Sequence, residues 1–206
     1  PLGVDPEVVY TSWPGWTAAR GATRARIRSR GTKEYRHTLM SVLAPAVGAV
    51  LAAILESSVL THLQVGSVRP DLVFALGIAV AMLLGFESGV TWAFIGGIAL
   101  DLLLPGRALG ASALALLLTI AIALLVARVL WPPRLLIVAT TAFVLTFVYQ
   151  LLILGLLAFS EGVGLGGISV PDLVAIGALN AVIAAIAVPV IRALDLRVGE
   201  SERLAW

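Results

Sequence analysis

Residues 135–159 form a run of 25 positions without a charged side chain. At 1.5 Å per residue such a run is about 37 Å long as a helix, more than the roughly 30 Å hydrocarbon core of a bilayer. A segment of this kind excludes most soluble folds. The rest of the chain agrees: 60% of the 206 residues are hydrophobic and 13% are charged, where a soluble domain is nearer a quarter charged. The sequence predicts an all-α integral membrane protein.

The spans are punctuated by breakers. Segment one covers residues 39–63 and ends before Arg69-Pro70-Asp71. Segment four covers 109–130 and ends at "WPPR", two prolines beside Trp131 at the interface. Segment five is 135–159. A glycine-rich loop follows, and segment six covers 173–191, closed by Arg192. Residues 72–104 would make one helix about 50 Å long, too long for an ordinary span. Splitting them at "GFESG", residues 85–89, gives two short helices. Charge bias decides between the two readings. With six spans and both termini inside, the inside carries twelve basic residues and the outside two; with five spans the numbers are eight and six. Cytoplasmic loops are enriched in Lys and Arg, so the sequence favours six transmembrane helices with both termini cytoplasmic.

Residues 1–38 are a different kind of chain, rich in Pro, Gly and Ser. They hold Arg20, Arg24, Arg26, Arg28, Arg30, Lys33 and Arg36, seven of the 14 basic residues. They contain no apolar stretch of the signal-peptide type. They read as a partly disordered cytoplasmic tail that anchors topology and attracts anionic lipid, by about 1 kcal/mol per basic residue near the surface. A docking arm for a cytoplasmic partner is the more specific alternative. The expected organisation is this tail, a six-helix membrane domain over 39–193, and a short cytoplasmic tail over 194–206.

Chemistry has few candidate carriers. Cysteine is absent and His37 and His62 are the only histidines, which removes thiolate chemistry, disulfides and His-rich metal sites. No phosphate-loop, HExxH or nucleophile–base pattern occurs, and "GVGLGG" at 162–167 lacks the strand–helix context of a nucleotide site. No enzyme, cofactor or nucleic-acid partner is predicted.

The ionisable residues within or beside the spans are Glu56, Asp71, Glu87, Asp101 and Asp172. Such residues are the default functional candidates in a membrane protein. Asp71 and Asp172 each follow a proline and read as helix N-caps. Glu87 falls in the cytoplasmic turn and reads as solvated. Asp101 lies six residues before Arg107; it either pairs with that arginine, accepts hydrogen bonds from the "PGRALG" turn, or joins Glu56 and Asn180 in a polar cluster among helices one, three and six. Such contacts are typically worth only about 0.6–2 kcal/mol each and specify packing more than they drive it. Ala93, Gly96 and Gly97 offer a small-residue face for helix approach.

The ordered set of motifs resembles a known family, the rod shape-determining membrane protein MreD. The matching stretches are "RPDLVFAL" (69–76), "GVTWAFIGGIALDLLLPGRALGASAL" (89–114) and "VPDLVAIGALNAVIAAIAVPVIRAL" (170–194). The basic tail is longer than is usual in that family. The resemblance implies a non-enzymatic scaffold of the bacterial elongation machinery in the inner membrane. It would associate with MreC and, through it, with MreB filaments, the glycosyltransferase RodA and a class B penicillin-binding transpeptidase. It also implies a fold similar to the substrate-binding subunits of energy-coupling-factor transporters. Asp101 is then expected to position the "PGRALG" turn and not to carry protons. The competing reading is a small-solute-binding subunit of a vitamin-type uptake transporter, with Glu56, Asp101 and Arg107 facing a cavity lined by Trp92.

Overall fold

A computed structural model of the chain describes residues 42–60, 69–104, 109–130, 132, 134–161 and 169–203. They lie in one unit, Val42–Trp206, and the secondary-structure elements among them are all helical. The basic tail, from Arg20 to Arg36, and Arg107 lie outside the described residues.

Helix α1 covers residues 42–55 and continues into a π-helical turn, Glu56–Leu60. Helices α2 (Leu72–Leu84), α3 (Phe86–Leu103), α4 (Ala111–Val129), α5 (Leu135–Glu161) and α6 (Val170–Arg203) follow. Four stretches are long and apolar enough to cross a membrane: Phe86–Leu103, Ala111–Val129, Leu135–Leu156 and Val170–Leu194. Val42–Ser58 and Leu72–Leu84 are apolar but shorter.

The side-chain sorting is that of a membrane bundle. On α1, Ala49, Ala52 and Ala53 are buried, while Leu43, Val47, Leu51 and Leu55 recur every fourth residue on the exposed face. Small residues inside let backbones approach; large apolar ones outside suit lipid and would be a liability in water. Helix α2 sits at the centre, touching α3, α4, α5 and α6, and nine of its 13 residues are buried.

The 72–104 region is two helices joined by one residue. Gly85 has φ 92° and ψ −165°, a conformation essentially reserved for glycine. This reverses the chain so tightly that the expected five-residue turn, 85–89, reduces to Gly85 alone. Glu87 is exposed in the first turn of α3. The hairpin is antiparallel: Gly89 faces Ala81 and Gly96 faces Val73. Trp92 of α3 is wedged between α1 and α2, where a methyl on Gly48 or Gly77 would meet its ring at 2.8 or 2.9 Å. Its indole Nε1–H donates to the Val73 carbonyl at 2.9 Å. Phe74 of α2 stacks on Tyr149 of α5, with ring centroids 4.9 Å apart.

The last helix departs from expectation at both ends. It begins at Val170, not residue 173, and runs past residue 191 and Arg192 to Arg203. A proline in the first turn is compatible with a helix start. Beyond Arg192 the sequence meets no proline, and Ala, Leu and Arg are strong helix formers. Asp172 therefore lies within the first turn and is not the N-cap, although an acidic side chain there still complements the helix dipole.

Candidate functional site

A helix leaves its first backbone N–H groups without partners. In α2 those groups lie inside the bundle, and polar side chains from other helices answer them. Asp71 occupies the N-cap position, but its side chain makes no capping bond. Glu56, from the π turn of α1, caps instead: its Oε2 accepts the Val73 N–H at 2.8 Å. The Asp71 N–H donates to Asn180 Oδ1 of α6 at 2.9 Å. The Asp71 carboxylate accepts a bond from Gln150 Nε2 of α5 at 2.8 Å. This corrects the expectation that Asp71 caps its own helix. A residue from the preceding helix fills that role, which frees Asp71 to bind across to α5.

The network continues inward. Asn180, fully buried, donates from Nδ2 to Thr146 Oγ1 at 3.2 Å. The Thr146 hydroxyl donates to the Ala142 carbonyl of its own helix at 2.7 Å. With that proton committed, the Thr146 oxygen is left to accept, and the Asn180 amide has one orientation. Five side chains thus tie α1, α2, α5 and α6 together at one level.

Asp101 belongs to a second cluster. It is buried in the last turn of α3, and its two oxygens accept the N–H groups of Gly110 at 2.8 Å and Ser112 at 3.0 Å. Gly110, with φ 92°, is the N-cap residue of α4 and brings no side-chain cap of its own. Asp101 supplies that cap from the helix before, at the positive end of the α4 dipole.

Of the arrangements the sequence leaves open to Asp101, hydrogen bonding from the "PGRALG" turn forms, through Gly110, and the cluster with Glu56 and Asn180 among helices one, three and six does not. Glu56 and Asn180 join with Asp71, while Asp101 closes a different hairpin. Gln150 and Thr146 were missed by sequence reasoning. The signal was present: Thr146, Tyr149 and Gln150 sit at i, i+3 and i+4 within the uncharged 135–159 run, a single polar-capable face.

Chemically, these clusters fasten helices. Among the described residues no buried side-chain nitrogen or oxygen lacks a hydrogen-bond partner, and no group of three or more His, Cys, Asp or Glu side chains could hold a metal ion. Trp92 packs in the core, against Gly48 of α1 and Gly77 of α2. A groove of about 280 Å³ lies between α5 and α6, lined by Phe147, Gln150, Leu151, Leu154, Val170 and Leu173. Gln150 is its single polar residue.

The bundle and its fasteners define a multi-pass helical membrane protein whose polar residues hold helices to one another. No curated protein and no solved structure matches the chain. A family model does: that of the rod shape-determining protein MreD matches residues 37–197. The chain belongs to the MreD family, which places it in bacterial rod-shape determination.

Proposed function

We propose that this chain is a non-enzymatic scaffold of the rod complex in the bacterial inner membrane. It crosses the bilayer six times with both termini cytoplasmic and supports peptidoglycan synthesis by binding MreC. Through MreC it connects to MreB, RodA and the class B transpeptidase. The observation that carries this reading is that the clusters at Asp71 and Asp101 fasten helices to one another, while large apolar side chains cover the exterior that would meet a partner. Charge placement supports the orientation: Arg128, Arg134 and Arg192 are exposed at the end opposite exposed Arg69. Helix α2 is short and is enclosed by its neighbours. The basic tail adds attraction to anionic lipid.

The small-solute reading has less support. The groove between α5 and α6 is below the usual 300–1,000 Å³ of ligand sites and has one polar lining residue where such sites converge several.

The test is co-expression of the full chain with the MreC of the same organism, followed by purification in mild detergent. A stoichiometric complex stable to size-exclusion chromatography is expected. Failure to bind MreC, together with a small molecule retained by the chain alone and visible by mass spectrometry, would transfer the assignment to the solute-binding reading.

A further inference from the structure

The hydrogen bonds fix the relative heights of the helices. Asp71 is bonded to Gln150 and Asn180. From that level α2 runs 13 residues to Leu84, and α5 runs back fifteen residues to Leu135. At 1.5 Å per residue both reach their inner ends after about 20–23 Å. Asp101 lies fifteen residues beyond Phe86, where the hairpin turns, so it stands at about the same height. Glu56 shares it, being bonded to Val73.

Helices α5 and α6 do not stop there. The apolar stretch of α5 continues six residues past Gln150 to Leu156, and that of α6 starts ten residues before Asn180 at Val170. They extend about 9 and 15 Å further. At the level where α5 and α6 still present Leu151 and Val174 to the exterior, the α1–α4 side carries exposed Ser58 and Arg69, half-buried Glu56, Ser57 and Asp71, and buried Asp101. One flat hydrocarbon layer cannot suit both sides. A layer matched to α5 and α6 would immerse the permanently charged Arg69 guanidinium in hydrocarbon and bring the half-buried Glu56 and Asp71 carboxylates against it.

We propose that the domain is stepped and thins the outer leaflet along its α1–α4 side, by about 10 Å relative to the α5–α6 side. Phospholipid headgroups settle onto the outer ends of α1–α4, within reach of Arg69, while α5 and α6 stand in membrane of ordinary thickness. The word "outer" rests on the orientation proposed above; the step itself does not.

Leu102 on α3 and Leu151 on α5 make a matched pair. Each lies sixteen residues past the first residue of its helix, and each is 69% exposed. The chain has no cysteine, so Leu102→Cys and Leu151→Cys in the full chain each accept one nitroxide label. In phosphatidylethanolamine–phosphatidylglycerol vesicles, the ratio of collisions with oxygen to collisions with a water-soluble nickel chelate reports depth. The label at 102 should lie several ångströms shallower than that at 151. Equal depths would mean that the helices are tilted into one flat layer and would overturn the proposal. Leu109→Cys against Leu179→Cys, both exposed positions close to the level that Asp101 and Asn180 share, decides the same question if a label at 102 disturbs folding. Adding the chelate to one side only tests the orientation separately: a reversed signal changes the leaflet and leaves the step intact.

Discussion

Asp101 caps a helix it does not belong to: its Oδ1 accepts the backbone N–H of Ser112, eleven residues further on, at 3.0 Å. Its other oxygen takes the Gly110 N–H, so one side chain satisfies two of the donors that α4 leaves open and sets the angle of the α3–α4 turn. Asp101→Asn keeps one acceptor and turns the other into a donor facing Gly110. It should cost about 1–2 kcal/mol, and Asp101→Ala about 2–3 kcal/mol. Thermal unfolding in detergent checks the order. An Asn variant as stable as the parent would remove Asp101 from this role.

The Asn180 amide bridges the Asp71 N–H and Thr146 Oγ1. Asn180→Leu leaves a half-buried backbone donor without this acceptor and should cost about 1–3 kcal/mol. The Thr146→Val and Asn180→Leu changes should be non-additive by about 0.6–2 kcal/mol, the usual size of such couplings in membranes. A double-mutant cycle read by reversible unfolding measures this. Additive effects would show that the Asn180–Thr146 bond carries nothing.

Glycine tolerance should differ sharply from one position to another. A methyl on Gly97 would collide with the Ala113 backbone, whose nitrogen lies 2.6 Å from the position it would occupy. Gly97→Ala should push α3 and α4 apart and lower the melting temperature. Gly85→Ala meets no atom within 4 Å but must hold a φ of 92°, at a cost of about 1–3 kcal/mol. Gly155→Ala, also facing open space and with no such φ, should be neutral or slightly stabilising. Melting temperatures of the three variants give the comparison.

Trp92→Phe retains an aromatic ring between α1 and α2 but removes the bond to the Val73 carbonyl. That carbonyl keeps its helical partner, so the loss should be near 1 kcal/mol. Trp92→Ala empties the wedge and should cost about 3–5 kcal/mol. Equal losses for the two variants would assign the whole effect to the hydrogen bond.

Much of the bundle was legible in the sequence because hydropathy and proline or glycine punctuation act locally. The split of 72–104 followed from length together with charge bias, and "GFESG" marked where it falls. Asp101's link to the "PGRALG" turn followed from its proximity in the chain. The Asp71 contacts were not legible, because they join residues 79 and 109 positions apart and sequence pattern does not encode which helices meet. Asp71 looked like an N-cap because it occupies that position; that Glu56 would cap in its place depends on how α1 lies against α2. The overrun of α6 beyond Arg192 was missed because a charge was taken as a helix end, when it marks only where the apolar stretch stops.

The bond between Asp71 and Asn180 also bears on how the protein is made. At 5–20 residues per second, 109 residues separate the two partners by on the order of 5–20 s of synthesis. Throughout that interval the start of α2 sits in the nascent protein with its native acceptor not yet translated. Until the last helix arrives, the Asp71 N–H depends on water, lipid headgroups or another polar group for a partner.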